Sequence, residues 1–152
     1  MATRMLLHAS SVAREGEAVL LLGPPGSGKS DLVLRLIHEG WRLVADDQVA
    51  LHAEAGRLSA APPEALRGML EVRGLGILQD LEVAAPAPIR LAVRLVARSG
   101  IARLPEPERW ADAGIALPAI RLDPFEASAT AKLGLALDLV LGRARQRAGA
   151  FA

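Results

Sequence analysis

The sequence predicts an α/β domain, because strand-length and helix-length apolar patterns follow one another around a glycine-rich loop. Residues 17–22 end in a continuous apolar run that is too short for a helix and bounded by Gly16 and Gly23, as is typical of a buried strand. Apolar residues then recur at helical spacing over 30–39, and Gly40 is placed to end that helix in a left-handed turn. The first predicted unit is thus strand, glycine-rich loop and helix.

The glycine-rich loop has the P-loop pattern G-x-x-x-x-G-K-S, and its residues are Gly23, Pro24, Pro25, Gly26, Ser27, Gly28, Lys29 and Ser30. In such loops backbone N–H groups surround a polyphosphate, and the start of the helix adds its partial positive charge. Lys29 is expected to reach the β- and γ-phosphates, and Ser30 Oγ is expected to ligate Mg²⁺. The sequence therefore predicts a P-loop kinase-type domain, with a mixed sheet, that binds a nucleotide or a related phosphate donor.

Two carboxylates, Asp46 and Asp47, directly follow a second predicted strand over 41–45. We expect this strand to lie beside 17–22 in a right-handed parallel β-α-β unit, which would bring both carboxylates to the sheet edge near the loop. Adjacent strand residues point to opposite faces, so the two carboxylates should have different roles. One is expected to face the phosphates, where it could hold Mg²⁺ or accept a proton from an attacking hydroxyl.

Turn and helix signals dominate the middle of the chain. Residues 49–59 predict a hairpin, and 64–70 predict a short helix after two prolines. The segment 71–77 is predicted to be a loop because it contains Gly74 and Gly76.

The second half of the chain predicts two strands and a closing helix. Alternation of apolar and polar residues over 89–98 indicates a strand with one solvated face. A weaker strand over 115–122 contains Pro118 and is assigned to a sheet edge, because proline cannot donate to a neighbouring strand. Apolar residues at helical spacing over 133–141 predict a C-terminal amphipathic helix.

Composition bounds the class of protein. The chain has 152 residues, 51% of them hydrophobic, and a formal net charge of +1, so we expect one domain spanning 1–152. No basic stripe is visible, which argues against a nucleic-acid partner. No apolar run approaches a membrane span, and the absence of cysteine fits a reducing compartment, so the expected location is the cytoplasm.

Four segments, in their order and spacing, closely resemble the catalytic domain of the HPr kinase/phosphorylase family, which acts in bacteria on a serine of the phosphocarrier protein HPr. They are His8, the loop ending in G-K-S-D at 28–31, R-L-V-A-D-D at 42–47, and L-E-V-R-G-L-G-I at 70–77. The resemblance runs from about residue 7 to 77, with a looser continuation to 104. It implies an Mg²⁺-dependent serine kinase, with HPr or an HPr-like carrier as its partner.

The resemblance also implies roles for single residues. Asp47 would accept the proton of the substrate serine, Lys29 would hold phosphate, and His8 would belong to the active site. Ser30 and Glu71 would ligate Mg²⁺, to which the position of Asp46 adds a further candidate.

The family's catalytic arginine is harder to place on this sequence than the residues above. Arg103 is the best candidate for that arginine, although Pro105 stands where the family usually has glycine.

The chain starts just before His8, so it resembles the short form of the family, which consists of the catalytic domain alone. Where the family has a Pro- and Arg-rich loop associated with dephosphorylation, residues 122–128 are acidic and lack arginine, which puts the phosphorylase activity in doubt. The family is oligomeric, commonly a hexamer.

Two alternatives remain open at this point. The chain could be a P-loop kinase for a small metabolite, which would need a closed acceptor pocket. It could also be a nucleotide-binding regulatory module without turnover, in which Asp47 would be dispensable. The phosphate donor, whether ATP, another triphosphate or pyrophosphate, is not fixed by a loop that binds phosphates rather than the base.

Overall fold

The computed structural model describes residues 3–152, and this part of the chain contains two α-helices and eleven β-strands. The helices are α1 (Lys29–His38) and α2 (Ala129–Val140). The strands are β1 (Thr3–Leu7), β2 (Ser10–Arg14), β3 (Glu17–Leu22), β4 (Arg42–Ala45), β5 (Val49–Glu54), β6 (Arg57–Ala61), β7 (Leu70–Val72), β8 (Gly76–Leu78), β9 (Ala87–Leu95), β10 (Glu108–Asp112) and β11 (Ile115–Leu122). Single 3₁₀ turns lie at Glu64–Leu66 and Arg98–Gly100.

Nine of these strands form one mixed sheet, which confirms the predicted fold class. The main path through the sheet runs β1, β5, β6, β9, β3, β2, β4, and β11 pairs with β9 and β10 beside this path. Strand β9 is parallel to both β3 and β11, whereas the β5–β6, β6–β9 and β2–β3 pairs are antiparallel. The predicted units of strand β3, P-loop and α1, and of a C-terminal helix, are both present.

The prediction that β4 lies beside β3 as its parallel neighbour is wrong. Strand β2 lies between β3 and β4 and pairs antiparallel with both, so β3 and β4 do not touch. The parallel partner of β3 is β9, far away in the sequence. The segment before residue 17 gave no strand prediction, and its insertion displaces the simple β-α-β unit.

Two smaller predictions are also corrected. Strand β11 is not an edge strand, because it pairs with β10 on one side and β9 on the other. Pro118 is tolerated because pairing with β9 begins only at Ala119, so the missing N–H at 118 leaves no ladder incomplete on that side. The segment predicted as a loop over 71–77 forms the β7–β8 hairpin, whose turn contains Gly74 at φ 89°.

The core lies on both faces of the sheet. On one face, alternate residues of β3 such as Val19 and Leu21 pack with α1 and α2, and on the other, Ala18 and Leu20 pack with β5 and β6. All four of these side chains are fully buried, which explains the continuous apolar run in the sequence. Neither helix in the described part of the chain has the length and apolarity needed to cross a membrane.

Candidate active site

The P-loop joins β3 to the first residue of α1 and is shaped by its glycines. Gly26 and Gly28 have φ of 80° and 95°, a region that side-chain-bearing residues rarely adopt. A Cβ atom on Gly23 would lie 2.5 Å from Ser27 Oγ, so a side chain at this position would require Ser27 to move. The Ser27 N–H donates to the Pro24 carbonyl at 3.1 Å and closes the turn.

Lys29 lies folded against this loop. Its side chain is buried, and Nζ donates to the carbonyl of Gly23 at 2.5 Å and to that of Pro24 at 3.0 Å. Burial lowers the pKa of Lys29, while the nearby carboxylates of Asp46 and Asp47 act in the opposite direction. The ammonium group is therefore held at the loop by carbonyl oxygens that an incoming phosphate could replace.

Asp46 is a buried carboxylate at the end of β4. It accepts a hydrogen bond from Ser10 Oγ at 2.7 Å, and Ser30 Oγ lies 3.0 Å from each of its two oxygens. Ser10 is fully buried on β2, and sequence reasoning did not single it out because β2 itself was not predicted. Asp46 thus links β2, β4 and the start of α1 at one point.

Asp47 follows directly but points into solvent. Its φ of 68° lies in the left-handed region, and its side chain is 67% exposed. His8 Nδ1 lies 2.9 Å from the Asp47 backbone carbonyl and 3.7 Å from its Oδ1. The sequence predicted different roles for the two carboxylates from strand alternation, and the structure gives them different exposure through a left-handed turn after β4.

A cavity of about 570 Å³ collects most of the predicted site residues. It is lined by residues from the P-loop and by His8, Ser10, Lys29, Ser30, Asp47 and Glu71. Glu71 is exposed on β7, which the β7–β8 hairpin brings to the rim of the cavity. We call Ser10, Lys29, Ser30 and Asp46 the buried side of the site, and His8, Asp47 and Glu71 the open side.

Arg103 is not brought into this group. It is exposed in the connection between β9 and β10, and it does not line the cavity. Phe125, in contrast, does line the cavity, although the sequence analysis gave it no role. The only sequence signal for it would have been its rarity, because the chain has just two phenylalanines, two tryptophans and no tyrosine.

The donor atoms fit a hard cation bound together with phosphate. Residues 3–152 contain no group of three or more His, Cys, Asp or Glu side chains that could hold a metal ion on its own. Ser30 Oγ and the carboxylate of Asp46 nevertheless converge beside the P-loop, and oxygen donors are what Mg²⁺ prefers. A cation here would depend on phosphate oxygens and water for its remaining ligands.

The family is decided by comparison with known proteins. The sequence profile of the family described as HPr Serine kinase C-terminal domain matches residues 1–98, which is most of the chain. The chain belongs to this family. The match covers the whole cavity except for the segment that contains Phe125.

Individual relatives agree with this assignment. The HPr kinase/phosphorylase of Clostridium tetani is 45% identical over 78 residues, which are 51% of this chain and 26% of the relative. The HPr kinase/phosphorylase of Brevibacillus brevis is 35% identical over 91 residues, which are 59% of this chain and 29% of the relative. The aligned part therefore spans less than a third of the length of these curated relatives.

Structural similarity extends further along the chain. The structure of the HPr(Ser) kinase/phosphatase from Coxiella burnetii has a TM-score of 0.73 and 25% sequence identity. It covers 91% of this chain and 95% of that chain, so the shared fold continues well beyond residue 98.

Proposed function

We propose that this protein transfers the terminal phosphoryl group of a nucleoside triphosphate to a serine of HPr or an HPr-like phosphocarrier. The observation that carries the proposal is that the P-loop Lys29 and the exposed carboxylate of Asp47 line one cavity. Membership of the HPr serine kinase family supplies the acceptor class. ATP is the proposed donor, with Mg²⁺ as the cofactor.

The buried side of the site would hold the donor. Backbone N–H groups of the P-loop and the ammonium of Lys29 would surround the phosphates, and the N-terminus of α1 would add positive charge. Mg²⁺ would be held by Ser30 and Asp46, with Glu71 reaching from the rim, and would neutralise charge on the phosphates. These residues position and neutralise, which is most of what phosphoryl transfer requires from a protein.

The open side would receive the serine. Asp47 is exposed, so its carboxylate can approach a hydroxyl on the surface of another protein and accept its proton. The serine oxygen would bond to the γ-phosphorus as the bond from that phosphorus to the bridging oxygen breaks, and the nucleoside diphosphate would leave. His8 contacts the backbone carbonyl of Asp47 and lies close to its carboxylate, so it would help to fix the orientation of that group. An exposed base is the feature that favours a protein acceptor over a small metabolite enclosed in a pocket.

The test is phosphate transfer to purified HPr. The protein would be incubated with ATP, Mg²⁺ and HPr, and HPr would be followed by intact mass and by peptide mapping of the modified residue. We expect a gain of one phosphoryl group on a serine, lost when ATP or Mg²⁺ is omitted. Asp47→Asn is the matched control, because asparagine keeps the shape of the side chain and tolerates a positive φ.

Each other outcome points to a different function. Nucleotide binding without transfer to HPr would contradict HPr as the acceptor, and transfer to a metabolite would then support the small-molecule kinase. Binding that is unaffected by Asp47→Asn, with no turnover of any acceptor, would support a regulatory module instead.

The reverse reaction and the assembly are secondary proposals. Phosphorolysis would bring inorganic phosphate and a phosphoserine into one site, which requires more cationic groups. Because residues 122–128 contain no arginine, we expect release of phosphate from phosphorylated HPr to be much slower than the kinase reaction. The resemblance further suggests a hexamer working in the cytoplasm, and sedimentation velocity would measure the number of subunits.

A further inference from the structure

An exposed aromatic ring stands beside the phosphate loop. Phe125 lies between β11 and α2 and is 69% exposed. The chain contains only four aromatic residues, and one of the others, Trp41, is buried in the core. Phe125 also lines the cavity, so its exposed ring is available to a ligand bound there.

The edge of this ring rests on the P-loop. A Cβ atom on Gly28 would lie 3.0 Å from Cζ of Phe125 and 3.2 Å from its Cε1. Gly28 immediately precedes Lys29, the residue expected to contact the phosphates. Phe125 and Gly28 also line the same cavity. The ring therefore lies at the phosphate loop, inside the cavity that is expected to hold the donor.

The segment that carries the ring is held in place from both sides. The guanidinium of Arg35, on α1, donates to the carbonyl of Pro124, and Pro124 itself is buried. The Phe125 N–H donates to Asp123 Oδ1 at 2.9 Å, and Glu126 pairs with Lys132 at 2.5 Å. A ring presented on a fixed segment loses little conformational freedom when a ligand stacks on it.

We propose that Phe125 is a stacking platform for the nucleobase of the phosphate donor. The inference rests on the proposed function for the site, to which it adds how the donor is selected. Stacking on an aromatic face is tolerant of sequence because every base has a π-face, so ATP and GTP should both use it. Pyrophosphate and tripolyphosphate have no base and should gain nothing from the ring.

The test is donor affinity measured by calorimetry in the presence of Mg²⁺. The ligands are non-hydrolysable analogues of ATP and GTP, and tripolyphosphate as the donor without a base. For Phe125→Leu, which keeps an apolar side chain against Gly28 but removes the ring, we expect both nucleotides to bind about fivefold to a hundredfold more weakly. Tripolyphosphate affinity should stay within twofold, and Phe125→Trp should keep nucleotide affinity.

A matched control is Leu135→Ala on α2, another exposed apolar residue, which should change no affinity. Three results would overturn the proposal. Equal weakening of all three ligands in Phe125→Leu would show that the ring only supports the loop. Unchanged nucleotide affinity in Phe125→Leu would show that the ring does not contact the base. A variant whose only change is in the Michaelis constant for HPr would show the same. Failure of the proposed function is a separate result, namely nucleotide binding that depends on Phe125 without transfer to HPr.

Discussion

The buried side and the open side of the site are built in opposite ways, although Asp46 and Asp47 are neighbours in the chain. Ser10, Lys29 and Asp46 are at most 7% exposed and make hydrogen bonds within the protein. On the open side, the side chains of His8 and Asp47 are 50% and 67% exposed. The comparison teaches that the groups proposed to bind phosphate are already held by hydrogen bonds, while the proposed base is left accessible from solvent.

The two sides should therefore respond differently to substitution. Changes on the buried side should affect both donor binding and folding, because those side chains make hydrogen bonds within the protein that a substitution would remove. Changes on the open side should affect the chemical step and leave the fold intact.

The largest effect is expected for Lys29→Ala. Removing the ammonium group eliminates a positive charge at the phosphates, so we expect phosphoryl transfer to fall by about a hundredfold to a thousandfold, together with weaker Mg²⁺-ATP binding. Transfer is measured by intact mass of HPr and binding by calorimetry. Arg57→Ala is the control, because Arg57 is an exposed cation on β6 and does not line the cavity. Equal loss in both variants would contradict a specific role for Lys29.

The next effect separates the two carboxylates. Asp47→Asn should lower kcat by about a hundredfold or more, since it removes the proposed proton acceptor, while the affinity for Mg²⁺-ATP stays within twofold. Steady-state kinetics with HPr and calorimetry measure the two quantities. If Asp47→Asn instead weakens donor binding and leaves kcat unchanged, Asp47 belongs functionally to the buried side.

The two carboxylates should also differ in how much they stabilise the fold. Asp46→Ala leaves the fully buried Ser10 hydroxyl without its acceptor, so we expect the free energy of unfolding to fall by about 1–3 kcal/mol. Asp47→Asn should change it by less than about 0.5 kcal/mol, as is usual for exposed side chains. Urea denaturation of both variants measures the difference, and similar losses would show that the two sides are equally coupled to the fold.

The smallest effect concerns pH. Burial lowers the pKa of Lys29 from 10.5, so the unfolded chain keeps this proton to a higher pH than the folded protein does. The Lys29 contribution to the unfolding free energy must therefore rise with pH between the folded pKa and 10.5. We expect wild type to gain stability relative to Lys29→Met as pH increases toward 10.5, measured by urea denaturation. Lys132→Met serves as the control, and a flat difference curve would mean that Lys29 is solvated in the folded state.

The sequence predicted the P-loop and its two flanking elements better than the sheet around them. The P-loop, the strand before it and the helix after it are read from local patterns, because their geometry depends on neighbouring glycines and helical spacing. The role of β2 could not be read this way, because its pairing with β3 and β4 is decided by contacts between separate segments. Ser10, which that strand delivers to Asp46, was missed for the same reason.

The exposed residues of the site were predicted through resemblance rather than through pattern. Nothing in local sequence distinguishes Glu71 from a surface glutamate, yet the hairpin of β7 and β8 brings it to the cavity. Neither route identified Phe125, because the resemblance runs only to about residue 104 and the residue follows no periodic pattern. The catalytic role of Arg103 stays a prediction, and this residue does not line the cavity.

The position of β9 in the sheet has a consequence for synthesis of the chain. Strand β2 emerges from the ribosome before β3 and covers one of its edges, but the other edge pairs only with residues 87–95. Until that segment is made, a strand whose central residues are all apolar keeps an open row of N–H and C=O groups. The nascent protein is therefore most exposed to aggregation in this interval, and the arrival of β9 ends it by joining the two halves of the core.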